Sequence, residues 1–129
     1  MALITWTNDM SVGNAKIDAQ HKELISIINK LADAMQKGTA SNVLGEIVNE
    51  LVRYTSVHFS DEERIFSKTA YPDTEAHKAK HKFLMVKVES IKSDYAAGKM
   101  ALSIPVLDFL KKWLMEHIMK SDKTYSPYI

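Results

Sequence analysis

Apolar residues recur every three to four positions along four stretches of this chain, and the few glycines and prolines fall between them. That period is the signature of amphipathic helix. The first stripe is His21, Leu24, Ile25, Ile28, Leu31, Ala32 and Met35. It predicts a helix from about Asp18, a good N-cap, to Gly38, a good C-terminal stop. The second stripe, Leu44, Ile47, Val48, Leu51, Tyr54, His58 and Glu62, predicts a helix from after Ser41 to about Ser67, ended by the segment Lys68–Pro72. The third helix starts near Asp73 or Thr74 and carries His77, His81, Leu84, Met85, Val88, Ile91 and Tyr95, with Gly98 beyond its end. The fourth starts near Ser103, with Pro105 in the first turn, where its missing N–H costs nothing. Its stripe is Val106, Leu110, Trp113, Leu114 and His117. There is no strand-like alternation, internal repeat or low-complexity segment.

Four such helices with short connections predict an all-α chain, an up-down-up-down antiparallel four-helix bundle. Residues 1–17 read as an irregular N-terminal arm holding Trp6 and Gly13, residues 18–123 as the bundle and 124–129 as a C-terminal tail. The 129 residues make one domain by size. A net charge of +1 draws the chain neither to nucleic acid nor to a membrane surface. No signal peptide or membrane span is predicted, which fits a cytoplasmic protein. The absence of cysteine excludes disulfides, thiolate metal sites and cysteine nucleophiles.

The chemistry lies in the histidines. All five, His21, His58, His77, His81 and His117, fall on the inward stripes. His58 precedes Glu62 by one helical turn, and His77 precedes His81 by the same interval, so each pair shares a helix face. In the bundle, the start of the first helix, the end of the second, the start of the third and the end of the fourth meet. At about 1.5 Å per residue, these residues and Asp122 all lie roughly 5–12 Å in from that common end. Taken singly, His-x-x-x-Glu reads as a polar pair, and a lone histidine on an apolar stripe as a satisfied core residue. Together, five imidazoles and two carboxylates are too costly to bury without a metal. Asp122 sits about 140° past His117 on an ideal helix, so it turns inward only if the last turn widens to a π-type turn or unwinds. One of these is expected near residues 117–122. Trp113 and Leu114, within a turn of His117, and Phe59, beside His58, are the expected walls of the site. The seven methionines read as core filler.

Seven ligands exceed one tetrahedral zinc site and suit two six-coordinate ions such as iron, with both carboxylates bridging. The histidines then divide three and two, which leaves one open position. Two carboxylates carry less negative charge than the roughly four of carboxylate-rich di-iron enzymes. That favours Fe(II)/Fe(III) cycling and reversible O2 binding over O2 consumption.

With these residues in view, the chain resembles the hemerythrin family, specifically its single-domain bacterial members. The matching pieces are Ile17-Asp18-Ala19-Gln20-His21, His58-Phe59-Ser60-Asp61-Glu62-Glu63, His77-x-x-x-His81 and His117-Ile118-x-x-x-Asp122. The resemblance implies two non-haem irons bridged by Glu62, Asp122 and an oxo or hydroxo group. It implies that His77, His81 and His117 hold one iron, that His21 and His58 hold the other, which takes O2, and that Phe59, Trp113 and Leu114 form the O2 pocket. The expected function is O2 transport, storage or delivery to an oxygen-consuming enzyme, by a non-enzymatic monomer. The alternatives are a di-iron enzyme acting on peroxide or nitric oxide, and an O2 or redox sensor module.

Overall fold

The computed structural model describes residues 3–38, 41–98, 104–121, 123 and 127, with the side chains of residues 41, 42, 120 and 121 left aside. Four helices follow a short 3₁₀ turn at Asn8–Met10: α1 (Ala15–Gln36), α2 (Ser41–Phe66), α3 (Thr74–Ala96) and α4 (Ile104–Glu116). The chain then continues into a π-helical turn, His117–Ser121. α1 packs on α2, α2 on α3, and α4 chiefly on α1, as the up-down-up-down order requires. α3 and α4 touch only sparsely.

The stripes read from the sequence face the core. Leu24, Ile28, Leu31, Leu51, Leu110 and Leu114 are essentially sealed from solvent, each contributing about 1.5–3 kcal/mol of apolar burial. Ile17, Gln20, Ile27 and Leu107 are buried as well, widening the faces beyond the expected stripes.

α1 begins three residues before the expected Asp18. Its N-cap is Asn14, whose side chain accepts a hydrogen bond from the Ile17 N–H at 3.1 Å. Asp18 is instead inside the helix, and its carboxylate accepts from the Val12 N–H and the Ser11 hydroxyl, fastening the arm. Asn29 holds the arm further on, bonding both the N–H and the carbonyl of Ile4 at 2.9 and 2.8 Å. Lys22 lies over the Trp6 ring at 5.0 Å. The helix ends as expected at Gly38, whose φ of +67° suits a residue without Cβ.

A π turn falls at 117–121, the first of the two departures from ideal helix expected there. Asp122 and the tail residues 124–126, 128 and 129 lie outside the described residues, as does Ser103, the expected start of the fourth helix.

Candidate metal centre

Six of the seven expected ligands come together at one end of the bundle. His21 is in the second turn of α1, His58 and Glu62 are near the end of α2, and His77 and His81 are near the start of α3. His117 opens the π turn. All six are at most 3% exposed. Glu62 lies at the centre. Its Oε1 faces His81 Nε2 at 2.9 Å and His77 Nε2 at 3.4 Å. Its Oε2 faces His58, His21 and His117 Nε2 at 3.2, 3.6 and 3.7 Å. The ligand atoms form two groups, each within 4.8 Å: His21, His58, Glu62 and His117, and Glu62, His77, His81 and His117. Glu62 and His117 belong to both.

The outward ring nitrogens of His58 and His81 have partners that fix their tautomers. The Gln20 amide donates from Nε2 to Asp61 at 2.7 Å. That bond, foremost, holds the Asp61 carboxyl below its usual range, so it is ionised and can only accept. The Gln20 carbonyl is therefore the atom that meets His58 Nδ1, at 2.9 Å, and the proton sits on Nδ1. Likewise His81 Nδ1 donates to the Glu63 carboxylate at 2.8 Å. His77 Nδ1 meets the Tyr71 hydroxyl at 3.2 Å. Gln20 and Glu63 stand within the motifs that carry the resemblance but had no role assigned from the sequence, and Tyr71 was not singled out.

These tautomers turn the inner lone pairs of His58 and His81 toward the Glu62 oxygens, and His58 Nε2 toward His117 Nε2 at 3.1 Å. Among the described residues His81 Nε2 has no hydrogen-bond donor, although it lies 2.9 Å from a carboxylate oxygen. Lone pairs held this close in a dry core repel one another. A cation between them turns the repulsion into coordination, and so the donor set fits a pair of metal ions. Burial, the dominant effect, lowers the His21 pKa, and it lowers that of His117 far more, outweighing the opposing pull of Glu62 on each. Both rings are thus neutral near pH 7, as metal ligands must be.

Apolar groups pack around the site. Phe59 lies flat on the His81 ring, centroids 3.9 Å apart and planes within 3°, while its centroid is 5.8 Å from that of His58. Trp113 stacks on His117 with planes within 14°. Leu114 is wholly buried. Val12, Ile17, Phe66 and Tyr71 form a second small cluster, with Phe66 and Tyr71 against His77. Between α3 and α4 a cavity of about 440 Å³ reaches His81, Trp113 and His117 past Phe83 and Leu84.

A buried, histidine-rich, carboxylate-centred site for two metal ions in a four-helix bundle is what fold and geometry define. The model of the hemerythrin HHE cation binding domain matches residues 12–129. The chain is 36% identical over 130 residues to a bacteriohemerythrin of Methylococcus capsulatus (strain ATCC 33009 / NCIMB 11132 / Bath), covering 98% of this chain and 97% of that one. It is 33% identical over 129 residues to a bacteriohemerythrin of Stenotrophomonas maltophilia (strain R551-3), covering 100% of this chain and 83% of that protein. A wild-type hemerythrin crystal structure superposes with a TM-score of 0.92 at 33% identity, over 98% of this chain and 97% of the other. The chain belongs to the hemerythrin family. O2 binding at a non-haem di-iron centre, implied by the resemblance in its sequence, goes with that membership.

Proposed function

We propose that this protein takes up and releases O2 reversibly, as a carrier, a store or a supplier of an oxygen-consuming enzyme. His77, His81 and His117 would hold one iron and His21 and His58 the other, with Glu62 and Asp122 the carboxylates shared between them. The observation that carries the reading is Glu62, buried, with one oxygen toward His77 and His81 and the other toward His21, His58 and His117. A carboxylate so placed would serve two ions at once when they are bound. The proposal takes the chain as one hemerythrin-like domain, its arm ending near residue 14 and its tail starting near 124, acting as a cytoplasmic monomer. Among the described residues no helix is long and apolar enough to cross a membrane.

The iron pair, when bound, supplies the redox chemistry by which O2 is taken up and given back. The protein supplies the rest. Gln20, Glu63 and Tyr71 orient the imidazoles. Phe59, Trp113 and Leu114 keep water from the centre, and a dry site hinders the proton delivery that drives irreversible oxidation. Phe59 and Trp113 pack on His81 and His117, and thus wall the three-histidine side. The test is anaerobic loading with Fe(II), addition of O2, then its removal. Two irons per chain and a spectrum that reverts support carriage. An oxygenated spectrum that decays without reverting refutes it.

A further inference from the structure

The three outward ring nitrogens with defined partners are backed by three different chemistries. His58 meets an amide, Gln20, at 2.9 Å. His77 meets a phenol, Tyr71, at 3.2 Å. His81 alone meets a carboxylate directly, Glu63, at 2.8 Å. The Glu63 side chain is 29% exposed, at the edge of a groove between α2 and α3 also lined by Ser60, Lys78 and Lys82. A full negative charge accepting the Nδ1–H of an imidazole pushes electron density toward Nε2 and makes the ring a stronger donor. A neutral carbonyl does this less, and a hydroxyl less again. Phe59, flat on the His81 ring at 3.9 Å, fixes the ring plane, so Glu63 governs the charge of a ligand whose orientation is already set.

We infer that Glu63 is a positioning residue that makes the His77–His81 half of the centre its electron-rich half and so lowers the redox potential of the iron held there. The inference rests on the ligand assignment proposed above. Asp61 does not balance the effect. Its charge reaches His58 only through the intervening Gln20 amide, and Lys16 at 3.6 Å and Arg64 at 3.2 Å neutralise it from the solvent side. The sequence places Glu63 directly after the central Glu62, one carboxylate between the ions and the next behind a single ligand.

The experiment compares the iron-loaded full-length protein with Glu63→Gln, Glu63→Ala and Glu75→Gln. Gln keeps an acceptor for His81 and removes the charge. Glu75 is a control carboxylate on α3 with an 89% exposed side chain. Spectroelectrochemical titration should show the midpoint potential of Glu63→Gln shifted upward at unchanged iron content, with Glu75→Gln superimposable on wild type. Glu63→Ala should bind iron about 10-fold more weakly as well. In the metal-free protein, ¹⁵N NMR of the His81 ring should find Nδ1 protonated in wild type and in Glu63→Gln. An unmoved potential in Glu63→Gln, an equal shift in Glu75→Gln, or an unprotonated Nδ1 in the metal-free wild type would each overturn the inference. Wild-type protein that binds no iron defeats the ligand assignment and this inference together. Normal iron binding with an unmoved potential defeats this inference alone.

Discussion

Gln20→Leu isolates the amide that aims His58. The side chain is 8% exposed and its carbonyl is the acceptor for His58 Nδ1–H at 2.9 Å. Leucine is close in size, so the change removes the acceptor more than it opens space. His58 is wholly buried, and its orphaned N–H costs about 1–3 kcal/mol. For a chain of this length that lowers the melting temperature of the metal-free protein by roughly 3–15 °C. The lost bond from Gln20 to Asp61 adds less, because Lys16 and Arg64 still pair with that carboxylate. The effect on the metal is larger in kind. An unanchored His58 ring loses both its tautomer preference and its aim, which typically weakens metal binding about 10–100-fold, or about 1.4–2.8 kcal/mol. The loss should fall on the ion that uses His58. Anaerobic Fe(II) titration followed by iron per chain after gel filtration should show one iron retained and the second weakened. Gln20→Glu restores the acceptor, but its other oxygen faces the Asp61 carboxylate, so it recovers part of the affinity. If Gln20→Leu holds two irons with wild-type affinity, the amide does not position His58 and the argument fails.

Three further outcomes are expected. His77→Ala and His117→Ala should each lose iron or bind it weakly; normal iron content in both, by plasma emission analysis, refutes the ligand assignment. Leu114→Ala removes a fully buried side chain and should cost about 2–5 kcal/mol in denaturant unfolding. It should also speed autoxidation by admitting water, and an unchanged autoxidation rate means that Leu114 does not wall the pocket. The metal-free protein should lose stability as pH falls below about 6.5. In the folded chain burial holds His21 and His117 below the ordinary imidazole range, so in acid the unfolded chain takes up protons the folded one refuses. Stability therefore rises with pH up to about 6.5 and is flat above it, by at most about 1.4 kcal/mol per pH unit per histidine. A urea midpoint constant from pH 5 to 7 contradicts this.

Much of the centre was legible because it is written in helical periodicity. His58 and Glu62, and His77 and His81, are neighbours along one helix, and counting turns brings them to one depth. The π turn was legible from a conflict, since Asp122 cannot share a face with His117 on an ideal helix. The orienting groups were not, because their partners are distant in sequence. Gln20 meets His58 across 38 positions and Glu63 meets His81 across 18. Each also adjoins a ligand in sequence and so lies about 100° off the inward direction, which reads as a flank. Tyr71 sits between α2 and α3, where no period applies. Asp18 misled as a cap because Asp suits both a helix start and a carboxylate that fastens a preceding segment, and Asn14 already occupied the first role.

The sparse seam between α3 and α4 has a mechanical consequence. Among the described residues the two helix backbones approach closely at few positions, yet His77 and His81 of α3 and His117 at the end of α4 converge within 4.8 Å. A metal ion there would be the clasp across the joint. Iron loss would then free α4 to swing from α3 while α1, α2 and α3 stay packed, and amide exchange should quicken along α4 first. Cargo site and latch would then be the same atoms.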